Sequence, residues 1–243
     1  MYFDAHTHLQ QAQILPLVMK RAFNSGVRYF LCNATNEQDW DKIIDISRQY
    51  KGVYVALGVH PWYIDTLSKD WNKRLEQKLV ENKNILIGEI GIDKLKQDMD
   101  RQEEILRIQL ELAWKYQRPA VIHCVRAWDR LLHIFKTQRL KMPPKILSHS
   151  HHANADLIPQ MIEKYNAYFS YSSIFVPENH PKVRACLKAT PLDRLMIESD
   201  CPDLAKEPAV IPDLVHKMAE ITGHNEKKLK QALLKNAREF VKC

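Results

Sequence analysis

The chain has 243 residues, five cysteines and 36 Lys plus Arg against 29 Asp plus Glu, a formal net charge of +7. That length buries a sizeable core without staples. The scattered cysteines (Cys32, Cys124, Cys186, Cys201, Cys243) contain no C-x-x-C pair, which argues against a disulfide framework or a thiolate zinc ribbon. No apolar run approaches the ~18–20 residues of a membrane span, and no basic-then-apolar leader opens the chain, so a cytoplasmic protein with no membrane partner is expected. The basic excess suits a polyanionic partner, although its densest run (Lys227, Lys228, Lys230, Lys235, Arg238) reads equally well as a solvated helix face.

Short β-rich runs alternate with helical periodicity from end to end. Strands are expected at 2–5, 27–32, 53–57, 84–87, 119–123, 145–149, 167–171 and 194–198. Helices are expected near 13–24, 37–49, 67–82, 100–116, 127–138, 154–165, 180–189 and 208–222, with a last basic helix at about 225–241. Runs such as Tyr29-Phe30-Leu31 and Val121-Ile122 are continuous rather than alternating, as in strands buried on both faces. Eight βα units without an intervening linker predict an α/β fold, a TIM-like (β/α)8 barrel with an additional C-terminal helix, forming one domain over 1–243.

Chemistry in such barrels collects at the C-terminal strand ends. There the chain places His6 and His8, Glu89, His123, His149 and Asp200. On an extended segment His6 and His8 point the same way with Cα atoms about 6.5–7 Å apart, close enough to share an ion. Each residue alone has an ordinary alternative: a chance H-x-H, a surface histidine cluster at His149-Ser150-His151-His152, a strand-end cap, a turn residue. Independent alternatives do not explain why all six fall at strand ends.

Imidazole and carboxylate donors without thiolate suit Mg²⁺, Mn²⁺, Zn²⁺ or Ni²⁺. Six donors exceed the three a single catalytic zinc needs, so two divalent ions are expected, with Glu89 bridging. The expected sets are His6, His8, Glu89 and Asp200 for one ion, and Glu89, His123 and His149 for the other. Asp200 is also the candidate general base. His60, after the third strand, is expected to contact substrate phosphate or leaving group rather than metal, and Arg126 is a second phosphate-contact candidate.

The blocks Phe3-Asp4-Ala5-His6-Thr7-His8-Leu9, Gly58-Val59-His60-Pro61, Gly88-Glu89-Ile90-Gly91-Ile92-Asp93, Pro119-Ala120-Val121-Ile122-His123 and Ile197-Glu198-Ser199-Asp200-Cys201-Pro202 resemble, in this order, the TatD family of metal-dependent deoxyribonucleases. The likeness runs to Asn236-Ala237-Arg238-Glu239-Phe240. It implies a TIM-like barrel, a divalent-metal centre on the same six residues, and hydrolysis of phosphodiesters, commonly as a 3′→5′ exonuclease on DNA. Three mouth positions depart from the family pattern: Lys94 where an aromatic is usual, Val125 where an arginine is usual (Arg126 follows it), and His151 and Ala153 in place of an aromatic and a glycine. Two further readings follow: a metal-dependent amidohydrolase or phosphoesterase acting on a small molecule, and a barrel kept as a binding scaffold. No obligate protein partner is inferred.

Overall fold

The computed structural model describes residues 1–137 and 141–243. Among the described residues eight parallel strands lie side by side in chain order: β1 (Tyr2–Thr7), β2 (Val27–Asn33), β3 (Val53–Leu57), β4 (Leu86–Asp93), β5 (Ala120–Val125), β6 (Ile146–Ser148), β7 (Ala167–Tyr171) and β8 (Leu195–Ile197). The helices that follow them are α1 (Leu15–Asn24), α2 (Asp39–Gln49), α3 (Trp71–Glu81), α4 (Met99–Lys115), α5 (Trp128–Thr137), α6 (Leu157–Tyr165), α7 (Pro181–Ala189) and α8 (Ile211–Thr222), with α9 (Glu226–Phe240) last. This is the expected nearly closed (β/α)8 barrel with its extra helix. Gln138, the expected last residue of the fifth helix, lies outside the described residues.

Two apolar layers hold the barrel. Between strands and helices runs a continuous core that includes Ile43, Leu75, Leu106, Leu131 and Val215. On the barrel axis Phe3, Leu31, Ala56, Leu86, Val121, Leu147, Tyr168 and Met196 meet, one from each strand, and α9 closes this end with Ala237, Phe240 and Val241. Asn236 pins α9 in place by donating its side-chain amide to Leu192 O and Leu195 O, both at 2.8 Å.

Parity along the strands decides what reaches the opposite end. On β5 the axial Val121 is followed two residues later by His123, and beyond β6 the axial Leu147 is followed by His149, so plain alternation carries these side chains up the axis. On β1 the axial residues are Phe3 and Ala5, which by alternation would send His6 and His8 outward; on β4 the axial Leu86 would send Glu89 outward. Both strands shift register at these points, between Asp4 and Thr7 and between Ile87 and Ile90, and each bulge turns the later side chains back toward the axis.

The seam between β8 and β1 is closed by bonds from the residues just after β8. Ser199 N and Oγ donate to the Asp4 carboxylate at 2.8 and 2.6 Å. Asp200 N donates to His6 O at 3.0 Å and His8 N to Cys201 O at 2.8 Å. Several elements start later than their periodicity suggests. The expected helix from 67 begins at Trp71 because Pro61–Thr66 form a 3-10 turn, and the one from 208 begins at Ile211 after a shorter turn at Pro208–Val210. β4 and β5 instead outrun their expected ends, because they pair with each other as far as Asp93 and Val125.

Phe240 is fully buried in the α9 plug. Phe240→Ala is expected to cost about 3–5 kcal/mol, seen as a fall in melting temperature on the order of 10 °C.

Candidate metal centre

At the C-terminal strand ends seven side chains converge in two groups joined by Glu89. In the first, His6 Nε2 lies 3.2 Å from His8 Nε2, 3.2 Å from Glu89 Oε2 and 3.7 Å from Asp200 Oδ1. His8 Nε2 lies 3.5 Å from both Glu89 Oε2 and Asp200 Oδ1. Four donor atoms around an ion at 2.0–2.1 Å would stand about 3.3–3.4 Å apart at the corners of a tetrahedron. The five distances scatter about that edge. In the second group Glu89 Oε1 is 2.8 Å from His149 Nε2, 2.9 Å from His123 Nδ1 and 3.3 Å from His60 Nε2, and His123 Nδ1 is 3.2 Å from His149 Nε2.

By distance His60, Glu89 and His123 also form a potential ligand cluster. The far nitrogen of each ring separates ligands from donors, because an imidazole whose other nitrogen carries the proton presents a lone pair to the centre. His8 Nδ1 faces the carbonyl of Asn33 at 2.9 Å and must donate, which frees Nε2 for a cation. His60 Nδ1 accepts the backbone N–H of Trp62 at 3.2 Å, so its proton sits on Nε2. His60 therefore offers the centre an N–H and not a lone pair.

Two carboxylates stand behind the second group. Asp93 Oδ2 is 3.6 Å from His123 Nε2, and Glu198 Oε1 is 3.5 Å from His149 Nδ1, an ionic distance without hydrogen-bond alignment. Glu198 is fully buried and held by Ser150 N at 2.8 Å and by the Ser170 hydroxyl. Neither residue stood among the expected site residues. Glu198 had a signal, since it interrupts the apolar run Leu195-Met196-Ile197 two residues before Asp200 and so shares its parity. Gly91 lets β4 approach this point: a Cβ there would fall 1.9 Å from His123 O.

The electrostatics show a centre built to carry positive charge. Burial disfavours the ionised Glu89, yet the surrounding His149, His60 and His6 hold it well below the usual carboxylate range. Burial likewise opposes a charged His8, but Asp200 and Glu89 outweigh it and lift that imidazole to about 9. For His60 burial prevails over Glu89 and lowers it to about 4, leaving a neutral ring. Cations are thus favoured where Asp200 and Glu89 meet His8 and where Glu89 and Glu198 meet His149, and a divalent ion would take the place of those protons. The donor set fits a small first-row cation or Mg²⁺ better than Ca²⁺, whose ligands stand at 2.3–2.6 Å.

All six expected ligands thus lie within the two groups, with His60 beside them. Arg126 does not join them: it is exposed on the β5–α5 loop and stays outside the cavity of about 440 Å³ above the centre. Among the described residues no Lys or Arg lines that cavity, whose wall includes Trp62, Tyr63, Val125, Ile174 and Leu204. No helix among the described residues is long and apolar enough to cross a membrane.

Comparison with known proteins agrees with the fold. A family profile described as TatD related DNase matches residues 3–242. The chain is 27% identical over 256 residues to the uncharacterized metal-dependent hydrolase YabD of Bacillus subtilis, covering 99% of this chain and 98% of that one. It is 25% identical over 250 residues to the 3′-5′ ssDNA/RNA exonuclease TatD of Erwinia tasmaniensis, covering 96% of each. The crystal structure of the Escherichia coli TatD homologue YjjV has the same fold, with a TM-score of 0.92 at 23% identity over 98% of this chain and 97% of that one.

If Glu198 orients His149, Glu198→Gln should weaken Mn²⁺ affinity at the centre about 10–100-fold, read by isothermal titration, with little change in the metal-free melting temperature.

Proposed function

Since the chain belongs to the TatD-related DNase family and is a metal-dependent hydrolase acting on ester bonds, we propose that it hydrolyses phosphodiester bonds at the 3′ ends of nucleic acid, DNA first, with two divalent ions, Mg²⁺ or Mn²⁺. One observation carries this reading: Glu89 turns one oxygen to each of two donor groups of ion-binding size. His6, His8, Glu89 and Asp200 would hold one ion; Glu89, His123 and His149 the other. When bound, the pair supplies an acidified water and positive charge at phosphorus.

The chain's own groups supply the rest. Asp200 lines the cavity beside His8, and its carboxylate, kept ionised at a pKa of about 2 because His8 and His6 outweigh its burial, takes the proton of the attacking water. It does so from a left-handed backbone conformation, φ 50°, uncommon for a residue other than glycine. His60, with its proton on Nε2, donates to a phosphoryl or leaving oxygen. Asp93 and Glu198 keep His123 and His149 turned toward Glu89. Arg126, outside the lining, would meet only a phosphate farther along the strand. The free state of the cysteines is in keeping with a reducing cytoplasm. We read residues 1–243 as one catalytic unit.

The absence of Lys and Arg among the described cavity-lining residues favours a second reading, a small phosphoester as substrate. Purified protein with Mn²⁺ should shorten 5′-labelled single-stranded DNA in single-nucleotide steps, and Asp200→Asn should lower the rate about 10²–10⁴-fold with the fold intact by circular dichroism. Failure on DNA and RNA with turnover of bis(4-nitrophenyl) phosphate would select the small-molecule reading. Failure on all three would overturn both.

A further inference from the structure

Resting on the nuclease reading, we propose that Trp62 and Lys96 form the subsite for the unpaired terminal nucleoside of the substrate strand, the indole stacking on the base and the ammonium meeting its phosphate. Trp62 is 50% exposed although it lines the cavity. It is nonetheless held firmly. Its Nε1–H donates to Asp93 Oδ2 at 2.6 Å, and its ring meets that of His60 at 87° with centroids 5.1 Å apart. An exposed aromatic held by a hydrogen bond and by a neighbouring ring loses little freedom when a flat ligand settles on it. Among the described residues no other aromatic ring stacks face-on against it.

The neighbouring turn belongs to the same device. Asp93 Oδ1 accepts from Leu95 N at 2.8 Å and Asp93 O from Lys96 N at 3.1 Å, which places the Lys96 ammonium over the Trp62 ring, 4.7 Å from its centroid. A cation on an aromatic face at an open mouth is the pairing that single-strand binding sites use, the ring for the base and the charge for the backbone. Position argues for a nucleoside next to the scissile bond. The Trp62 ring touches His60, and His60 Nε2 lies 3.3 Å from Glu89. With no Lys or Arg among the described residues on the cavity wall, the Trp62 ring and the Lys96 ammonium beside it are the contacts offered at the mouth to orient the end of the strand. A paired base stays within its own stack, so the subsite selects unpaired ends.

The test compares kcat/KM, in Mn²⁺, for a short single-stranded oligodeoxynucleotide with a normal 3′-terminal thymidine and for the same strand ending in an abasic residue. Wild type should prefer the base-bearing end about tenfold, Trp62→Ala should lose that preference, and Trp62→Phe, which keeps a ring without the N–H, should retain most of it. The fall in Trp62→Ala should lie in KM. Equal rates on both ends in wild type, or a preference surviving in Trp62→Ala, would overturn the proposal. An equal fall of kcat in Trp62→Ala and Trp62→Phe on both strands would also overturn it, by showing that the residue serves only to position Asp93. Were wild type to cut neither strand, the nuclease reading would fail separately. Thymidine quenching of tryptophan fluorescence then decides the subsite: quenching in wild type and not in Trp62→Phe supports it, and no quenching in wild type overturns it.

Discussion

Closing the barrel and assembling the centre are one set of bonds. The strand ladder runs from β1 to β8, and the remaining seam is sealed by Ser199, Asp200 and Cys201 bonding to Asp4, His6 and His8. The segments that seal it carry His6, His8 and Asp200, three of the four donors of the first group. A barrel that fails to close cannot hold that group, and a group wrongly spaced works against closure. Asp4 illustrates the cost of this economy: burial lifts its carboxyl to about 8, against the lowering effect of Ser199, because the seam lies where water cannot reach. Asp4 is nevertheless retained there as the acceptor for both Ser199 donors.

The second constraint is parity. An alternating strand sends every second side chain to the axis, and the axial core at one end fixes which residues reach the centre at the other. β5 and β6 satisfy both ends without adjustment. β1 and β4 do not, and each inserts a bulge between its axial residues and its donors. Those two strands supply His6, His8 and Glu89, and Glu89 faces both groups, so the irregularities sit where aim matters most.

These two constraints explain what the sequence made legible. Apolar runs bounded by turn residues locate strands, and a polar donor after an apolar run is visible in one dimension; this is how His123, His149 and Asp200 could be read beside Glu89. Bulges leave no comparable mark, so the extension of β4 through Glu89 to Asp93 is not legible in the sequence. Nor could the sequence say which histidines offer lone pairs. That depends on Asn33 O behind His8 and Trp62 N behind His60, backbone groups that no side-chain pattern encodes. The roles of Asp93 and Glu198 are hard to read for a related reason: both act through the imidazoles in front of them, and only the parity that Glu198 shares with Asp200 marks either one in the sequence.

Charge points the same way once its location is known. Many of the basic side chains are paired on the outer helices, as with Arg130 against Asp100 and Glu103, Lys115 against Glu76 and Lys78 against Asp41. Exposed pairs of this kind add little stability and leave little field to focus. The basic run on α9 lies at the plugged end, where Lys230 covers Tyr2 and Arg238 bonds Tyr29. The net charge of +7 therefore says little about what enters the mouth. Among the described residues that line the cavity the charged side chains are carboxylates and imidazoles, so an anionic substrate would find its attraction in cations held by Glu89 and Asp200. Its orientation then falls to short-range contacts, among which the aromatic wall at Trp62 lies nearest to His60.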